Sequence, residues 1–258
     1  MTRSSALLPK RRVLTVDITV GGFSEQVDAM AELASAHCSS YVCCVNAHMT
    51  VEAREPGFAK VVNSADFATA DGMPVVKALR FFHGLAQERV AGNDLLPALL
   101  TKAAASGLSV FFYGGSEEVL RRMAERARQE FPGLVLAGTH SPPFGPLDGL
   151  DLEQEAARIN ASGAHLVMVS LGCPKQERWM AAMKGRVDAL MLGLGGAFLL
   201  YAGVDTRAPK WMRELSLEWL YRLWLEPGRL WKRYLVTNTQ FIVLWLRALL
   251  RRTASSRP

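Results

Sequence analysis

The stretch Leu171-Gly-Cys-Pro-Lys-Gln-Glu-Arg-Trp179 follows a compact apolar run, His165 to Ser170, of strand type. Gly172 permits a tight turn. Pro174 suits the first position of a helix, where its missing N–H would have no helical partner. A strand that stops at glycine and opens into a helix presents free backbone N–H groups and a positive dipole end. An open α/β sheet places its ligand at such turns. Lys175, Gln176 and Glu177 set a cation, an amide and a carboxylate beside it. The plain alternative is a solvated first helical turn.

The pattern repeats on both sides of this stretch. Apolar strand-type runs at Arg12 to Val20, Tyr41 to Val45, Phe67 to Ala70, Ser109 to Tyr113, Leu134 to Ala137 and Ala189 to Leu192 alternate with helical periodicity. Ser24 and Ser116 are candidate helix caps, Pro74 opens a helix, and Asp94 begins another. Gly138 to Gly149 holds three Pro and reads as a loop. Strand–helix alternation of this kind predicts a Rossmann-like, mainly parallel sheet with helices on both faces. Function is then expected at the carboxyl ends of the strands, where Asn46, Asp71, Gly114, Gly172 and Gly193 fall.

The 258 residues suffice for a large core, and half of them are apolar. Cys38, Cys43, Cys44 and Cys173 form no C-x-x-C pair, so neither a zinc site nor a disulfide framework is indicated. Reduced thiols point to the cytoplasm. The apolar part of Met1 to Arg12 is too short for a signal peptide.

Charge divides the chain at about residue 207. From Arg207 onward, eleven Lys and Arg face three Glu, a net of +8, which leaves −2 for the rest. The reading is a catalytic domain over 1–206 and a basic, amphipathic helical appendage over 207–258. Leu217 to Leu225 is aromatic-rich, and the uncharged run Tyr234 to Leu246 is too short to span a bilayer, which takes about 20 residues. Trp and Tyr with flanking cations favour an anionic membrane surface, and fit lipid better than nucleic acid. The alternatives are ordinary core helices or an interface in a homo-oligomer.

Asp71 follows an apolar strand and precedes glycine. It could act as a general base or simply cap the Asp-Gly turn. Arg89 and Asp94 flank Gly92, and an arginine there can grip a phosphate in a two-point fork. Gly193-Leu-Gly-Gly196 is not the dinucleotide fingerprint, and no P-loop occurs. No D-x-D pair and no H-x-x-x-H spacing occur, so no metal and no cofactor are expected. A leaving diphosphate would then need helix N-termini and cations such as Arg222, Arg229, Lys232 and Arg233.

Several segments together resemble the WecG/TagA/CpsF family of bacterial glycosyltransferases. They are Val45-Asn-Ala47, Ala65 to Gly72, Arg89 to Asp94, Phe112 to Gly115, Leu171 to Glu177, Gly193 to Gly196, Arg207-Ala-Pro209 and Leu217 to Arg222 with Glu226-Pro227. The resemblance implies inverting, metal-independent sugar transfer from a UDP-sugar to a polyprenyl-diphosphate-linked sugar, in cell-surface polysaccharide synthesis. The enzyme would lie peripherally on the inner face of the cytoplasmic membrane. N-acetylmannosamine, its uronic acid and glucose are the donor sugars the family suggests. The proposed base falls on Asp71, and the family's Asn, loop Arg and Gln fall on Asn46, Arg89 and Gln176. Its appendage arginines fall on Arg222, Arg229 and Lys232 or Arg233. Some members carry Thr or Ser where this chain has Cys44. UDP is expected on the glycine turns at Gly114-Gly115, Gly172 and Gly193 to Gly195. The rival readings are a nucleotide-dependent oxidoreductase or epimerase, and a non-enzymatic membrane-tethered scaffold.

Overall fold

The computed structural model describes residues 7–209, 211–212, 217–225 and 227–255; at 218, 222, 229, 230, 232–234 and 251–255 it describes the backbone alone. Eight strands occur among them. An antiparallel hairpin, β1 (Lys10–Val13) with β2 (Val16–Thr19), stands apart from a six-stranded sheet. That sheet holds β3 (Ser40–Val45), β4 (Phe67–Ala70), β5 (Ser109–Gly114), β6 (Val135–His140), β7 (Leu166–Ser170) and β8 (Leu190–Gly193). Its order is β4-β3-β8-β7-β5-β6, and every pairing is parallel.

Strand residues alternate between two cores, as a pleat requires. Val42, Cys44, Val110, Phe112, Leu190 and Leu192 face one core. There they meet α1 (Phe23–Ser35), α5 (Gly92–Ser106), α6 (Glu117–Glu130) and α9 (Ala197–Tyr201). Tyr41, Cys43, Val45, Tyr113, Val167 and Met191 face the other. That core is closed by the hairpin, α2 (Ala47–Glu52), α3 (Pro56–Asn63), α4 (Met73–His83), α7 (Leu152–Ala161) and α8 (Lys175–Met183). The vicinal Cys43 and Cys44 therefore point into opposite layers, and all four cysteines are free thiols.

Four local expectations change. Arg12 to Val20 is not one strand: Leu14, at φ 54°, turns the chain back and makes a hairpin. β6 continues through Gly138 to His140, where a loop was expected, because Gly138 serves packing: a Cβ there would lie 2.7 Å from the Phe111 ring. Pro174 stands one residue before α8 rather than inside it, after a cis peptide bond. Helix α1 is likewise preceded by Gly22, with Glu25 accepting from the Gly22 N–H at 3.1 Å, so Ser24 is not its cap. Ser116 does cap α6, accepting from the Val119 N–H at 3.3 Å.

The chain leaves β3 outward to β4, crosses over for β5 and β6, then returns through β7 to β8 beside β3. The carboxyl ends of β3, β8 and β7 thus meet mid-sheet, at the kind of topological switch where open α/β sheets bind ligands.

Past residue 217 two helices follow, α10 (Glu218–Leu225) and α11 (Pro227–Ser255). Helix α11 lies against α2 and α4. Thr237 and Phe241 are buried, and the Trp245 ring sits 5.6 Å from Phe81 and 5.3 Å from Phe82. Leu235, Ile242, Leu246 and Leu250 lie on the other side and are exposed. No helix among the described residues is long and apolar enough to cross a membrane.

Candidate active site at the carboxyl ends of the strands

Asp71 stands at the tip of β4, and the neighbouring strand fixes its backbone. The Asp71 N–H donates to the Val45 carbonyl at 3.0 Å, and the Gly72 N–H reaches the same oxygen at 3.3 Å. Asn46, next after Val45, caps α2 by accepting from the Met49 N–H at 3.1 Å. Gly72 leaves no room between the two tips: a Cβ on it would lie 3.2 Å from the Asn46 Cβ. Asp71 and Asn46 are therefore held side by side, both partly exposed.

The segment before α5 is laid along the outer edge of β4. The Val90 N–H donates to the Ala70 carbonyl at 3.0 Å, and the Thr69 hydroxyl donates to the Val90 carbonyl at 2.8 Å. Arg89 is thereby brought to this end of the sheet. It pairs with Asp94 at 3.2 Å, and Arg207 donates to the other oxygen of the same carboxylate. Asp94 thus lies between two guanidinium groups. Cys44 points to the layer beneath, its sulfur 3.6 Å from where a Gly92 Cβ would be. Burial pushes that thiol well up, and the nearby Asp71 carboxylate adds to the effect, so it stays neutral.

The carboxyl ends of β5, β7 and β8 are made of glycine turns. A Cβ on Gly114 would meet the Ser170 carbonyl oxygen at 2.3 Å, so only glycine lets β5 and β7 end side by side there. Gly115 accepts from the Ser141 hydroxyl at 2.6 Å. Gly172 adopts φ 79° and opens onto free space. The Leu194 and Gly195 N–H groups both donate to the Val169 carbonyl, at 2.9 and 3.2 Å. The Gln176 side chain fills the gap beside β8: its Nε2 lies 3.1 Å from a Gly193 Cβ position and its Oε1 3.4 Å from that of Gly195. Lys175 donates to the Gly145 carbonyl at 2.6 Å and so ties the loop after β6 to the start of α8.

Glu177 departs from expectation. The sequence sets a carboxylate beside the turn, within reach of substrate, and the structure buries it completely. It accepts from Gln176 Nε2 at 2.7 Å, and burial raises its pKa to about 7. Helical geometry explains this: residues 176, 177, 179, 180 and 183 make the buried face of α8, with Trp179 stacked on Tyr113 at 4.3 Å.

The sequence model of the glycosyl transferase WecG/TagA/CpsF family matches residues 11–255. The chain belongs to this family of glycosyltransferases. A relative from Bacillus spizizenii (strain W23) is 36% identical over 200 residues, covering 76% of this chain and 75% of its own. That relative is named N-acetylglucosaminyldiphosphoundecaprenol N-acetyl-beta-D-mannosaminyltransferase. WecG/TagA/CpsF membership sets aside the oxidoreductase, epimerase and scaffold readings.

The fold brings Asn46, Asp71, Arg89 and Asp94 to the carboxyl ends of β3 and β4, and Gly114, Gly115, Gly172, Gln176, Gly193 and Gly195 to those of β5, β7 and β8. The side chains of Arg222, Arg229, Lys232 and Arg233 lie outside the described residues. The backbone of α11 is described, and Thr237 faces His48 across 3.4 Å, two residues past Asn46. Arg233 and Arg229 precede Thr237 by about 6 and 12 Å along the helix axis. Among the described residues no group of three or more His, Cys, Asp or Glu gathers to hold a metal ion. Arg207 joins the site without being a candidate on sequence grounds. The signal for it was present in the Arg207-Ala-Pro209 segment, but its partner Asp94 is 113 residues away in sequence.

Proposed function

We propose that this glycosyltransferase moves N-acetylmannosamine, with inversion, from a UDP-sugar to N-acetylglucosaminyl-diphosphoundecaprenol. The observation that carries the reading is the pairing of Asp71 with Asn46 at adjoining strand tips, opposite the glycine turns. The donor and acceptor follow from the Bacillus spizizenii relative, whose name supplies both sugars and the lipid.

On this reading UDP lies on the turns at Gly114-Gly115, Gly172 and Gly193 to Gly195, with its sugar toward β4. Asp71 takes the proton of an acceptor hydroxyl. The hydroxyl oxygen forms a bond to the anomeric carbon from the face opposite UDP, and the bond to the diphosphate oxygen breaks as UDP departs. Negative charge then develops on the leaving diphosphate. Positioned donors lower that barrier by about 3 kcal/mol each. Arg89, the amino end of α8 and the appendage cations Arg222, Arg229, Lys232 and Arg233 are assigned this role, with no metal ion.

The acceptor is a lipid, so the enzyme must reach a bilayer. The exposed stripe of α11, together with Trp224 and Trp231, is the surface assigned to it, peripherally on the cytoplasmic face. Membrane attachment belongs on this account to residues 207–258, which also lend their cations to the sugar transfer carried out on 1–206.

The test is UDP release and lipid-linked disaccharide formation by the purified chain. UDP-N-acetylmannosamine with N-acetylglucosaminyl-diphospholipid is expected to give both products. Turnover of UDP-glucose alone among the donors offered would overturn the assigned sugar, and a requirement for added divalent metal would overturn the charge assignment.

A further inference from the structure

Gln176 and Glu177 form a buried pair in which the Gln176 carbonyl oxygen has no hydrogen-bond donor. Gln176 is about nineteen-twentieths buried. Its Nε2 donates to Glu177 Oε1 at 2.7 Å and lies against Gly193, while its Oε1 lies toward Gly195, 3.4 Å from that residue's Cβ position, and accepts no hydrogen bond. A buried carbonyl oxygen without a donor costs free energy. It is accounted for when a bound molecule brings an O–H or N–H to that turn. Which end of the amide faces the turn is therefore a functional matter, and Glu177 decides it.

We infer that Glu177 is a positioning residue that holds the Gln176 carbonyl toward the glycine turn, where it accepts a hydrogen from a hydroxyl or N–H of the sugar-nucleotide donor. This rests on the proposed glycosyl-transfer reading for the identity of the ligand, though not for the geometry. An ionised carboxylate only accepts hydrogen bonds, so it holds the NH2 end of Gln176 and leaves the carbonyl for the ligand. A protonated carboxyl can also donate. It then tolerates the reversed amide, which presents NH2 to the turn, where a donor group of the ligand would meet another donor.

The surroundings let Glu177 act as this switch. The titratable groups facing it are the thiols of Cys43 from β3 and of Cys173 from the turn, and Cys173 donates to it, whereas Cys44 points into the opposite layer and is felt only through the sheet. The acids on the flanking helices are engaged elsewhere. Glu155 of α7 lies 3.3 Å from His140, and Glu55, which caps α3, pairs with Arg178 at 2.9 Å. β8 contributes no titratable side chain. Burial sets the midpoint of Glu177 at about 7, inside the working range of a cytoplasmic enzyme.

The test compares the full-length wild-type chain with Glu177→Gln, which keeps the shape but does not titrate. The KM for UDP-N-acetylmannosamine is expected to rise several-fold in the wild type as pH falls from about 8 to about 6. In Glu177→Gln it is expected to be raised at both ends and flat between them, because a glutamine offers both a donor and an acceptor. A second readout needs no substrate: the side-chain NH2 resonance of Gln176, assigned by its loss in Gln176→Ala, should titrate near pH 7 in the free wild type and not in Glu177→Gln. If that resonance titrates but no UDP-sugar is turned over, the positioning stands and the donor assignment fails. If Glu177→Gln keeps the wild-type KM profile, or the Gln176 resonance does not titrate in the wild type, the positioning role is overturned.

Discussion

Gly72 and Asn46 touch backbone to side chain: a Cβ on Gly72 would lie 3.2 Å from the Asn46 Cβ and 3.3 Å from its Cα. The second of these is backbone and cannot rotate away. Gly72 has φ −96°, which any residue adopts, so a substitution there acts through contact alone. Gly72→Ala is expected to push the β3 and β4 tips apart by a few tenths of an ångström. Misplacement on that scale is costly where reacting groups must be aligned. We expect kcat to fall about tenfold with a melting temperature lowered by only a few degrees, read by turnover and thermal unfolding of one preparation. An unchanged kcat would mean that the spacing of Asp71 and Asn46 does not matter to the chemistry.

Asp71→Asn removes a proton acceptor and keeps its shape. General base catalysis supplies about 10²- to 10⁴-fold, so kcat should fall within that range while the donor KM changes little. Because the backbone at 71 is held by the Val45 carbonyl, not by the side chain, the fold should persist. Full turnover by a folded Asp71→Asn protein would remove Asp71 from the mechanism.

Arg89 and Arg207 share Asp94, and the three side chains are each one-fifth to one-third exposed. Partly screened pairs of this kind contribute on the order of 1 kcal/mol. The effects of Arg89→Ala and Arg207→Ala should not add, since each loss leaves the other guanidinium with the whole carboxylate. A double-mutant cycle on unfolding free energy is expected to show a coupling of about 0.5–1 kcal/mol. Only Arg89→Ala should in addition raise the donor KM. Strict additivity in stability would show that Asp94 does not link them.

Glu177 makes stability depend on pH in a direction opposite to most carboxylates. Its pKa is about 7 in the folded protein and near 4.5 when exposed, because burial disfavours the charged form. The folded state therefore binds the proton more tightly than the unfolded chain. Stability from this group is complete below about 4.5 and is lost as pH rises to about 7. Glu177→Gln should be more stable than wild type above pH 7, by about 3 kcal/mol at most. The two should converge near pH 4.5, as urea unfolding across that range would show. A variant less stable than wild type at pH 8 would contradict a buried charge at this position.

The sequence displayed the fold more fully than the site. Apolar runs such as Val42 to Val45 and Val167 to Val169 can be read directly, because a parallel strand buried on both faces needs them. The residues misread were those whose job lies across the structure. Gly138 resembled a loop glycine because the Phe111 ring it accommodates is on another strand. Leu14 gave no turn signal, since leucine rarely takes positive φ. Glu177 resembled a solvated first-turn acid because helical phase could not be fixed until Trp179 and Met180 were seen in the core. Asp94 and Arg207 could be listed as motif members but not paired.

The long helix α11 presents apolar side chains on two sides. The side carrying Phe241 and Trp245 is occupied by α2 and α4, so its burial is already explained. Leu235, Ile242, Leu246 and Leu250 recur at helical spacing on the other side and are more than half exposed, Leu250 to 69%. Such a stripe is costly in water and is relieved by entering the headgroup region of a bilayer. Each large aliphatic side chain transferred contributes about 1.5–3 kcal/mol when fully buried. Ile242→Glu with Leu246→Glu should therefore lower partitioning onto phosphatidylglycerol-containing vesicles by at least about 100-fold. The loss should persist in high salt, because it is apolar contact and not charge that has been removed. Turnover of a short-chain, water-soluble acceptor should stay near wild type, since neither residue lies at the strand ends. Phe241→Ala works from the opposite side: it should loosen the helix from α4 and lower the melting temperature while leaving the exposed stripe intact. Vesicle binding that survives both glutamates unchanged would place the membrane contact elsewhere on the chain.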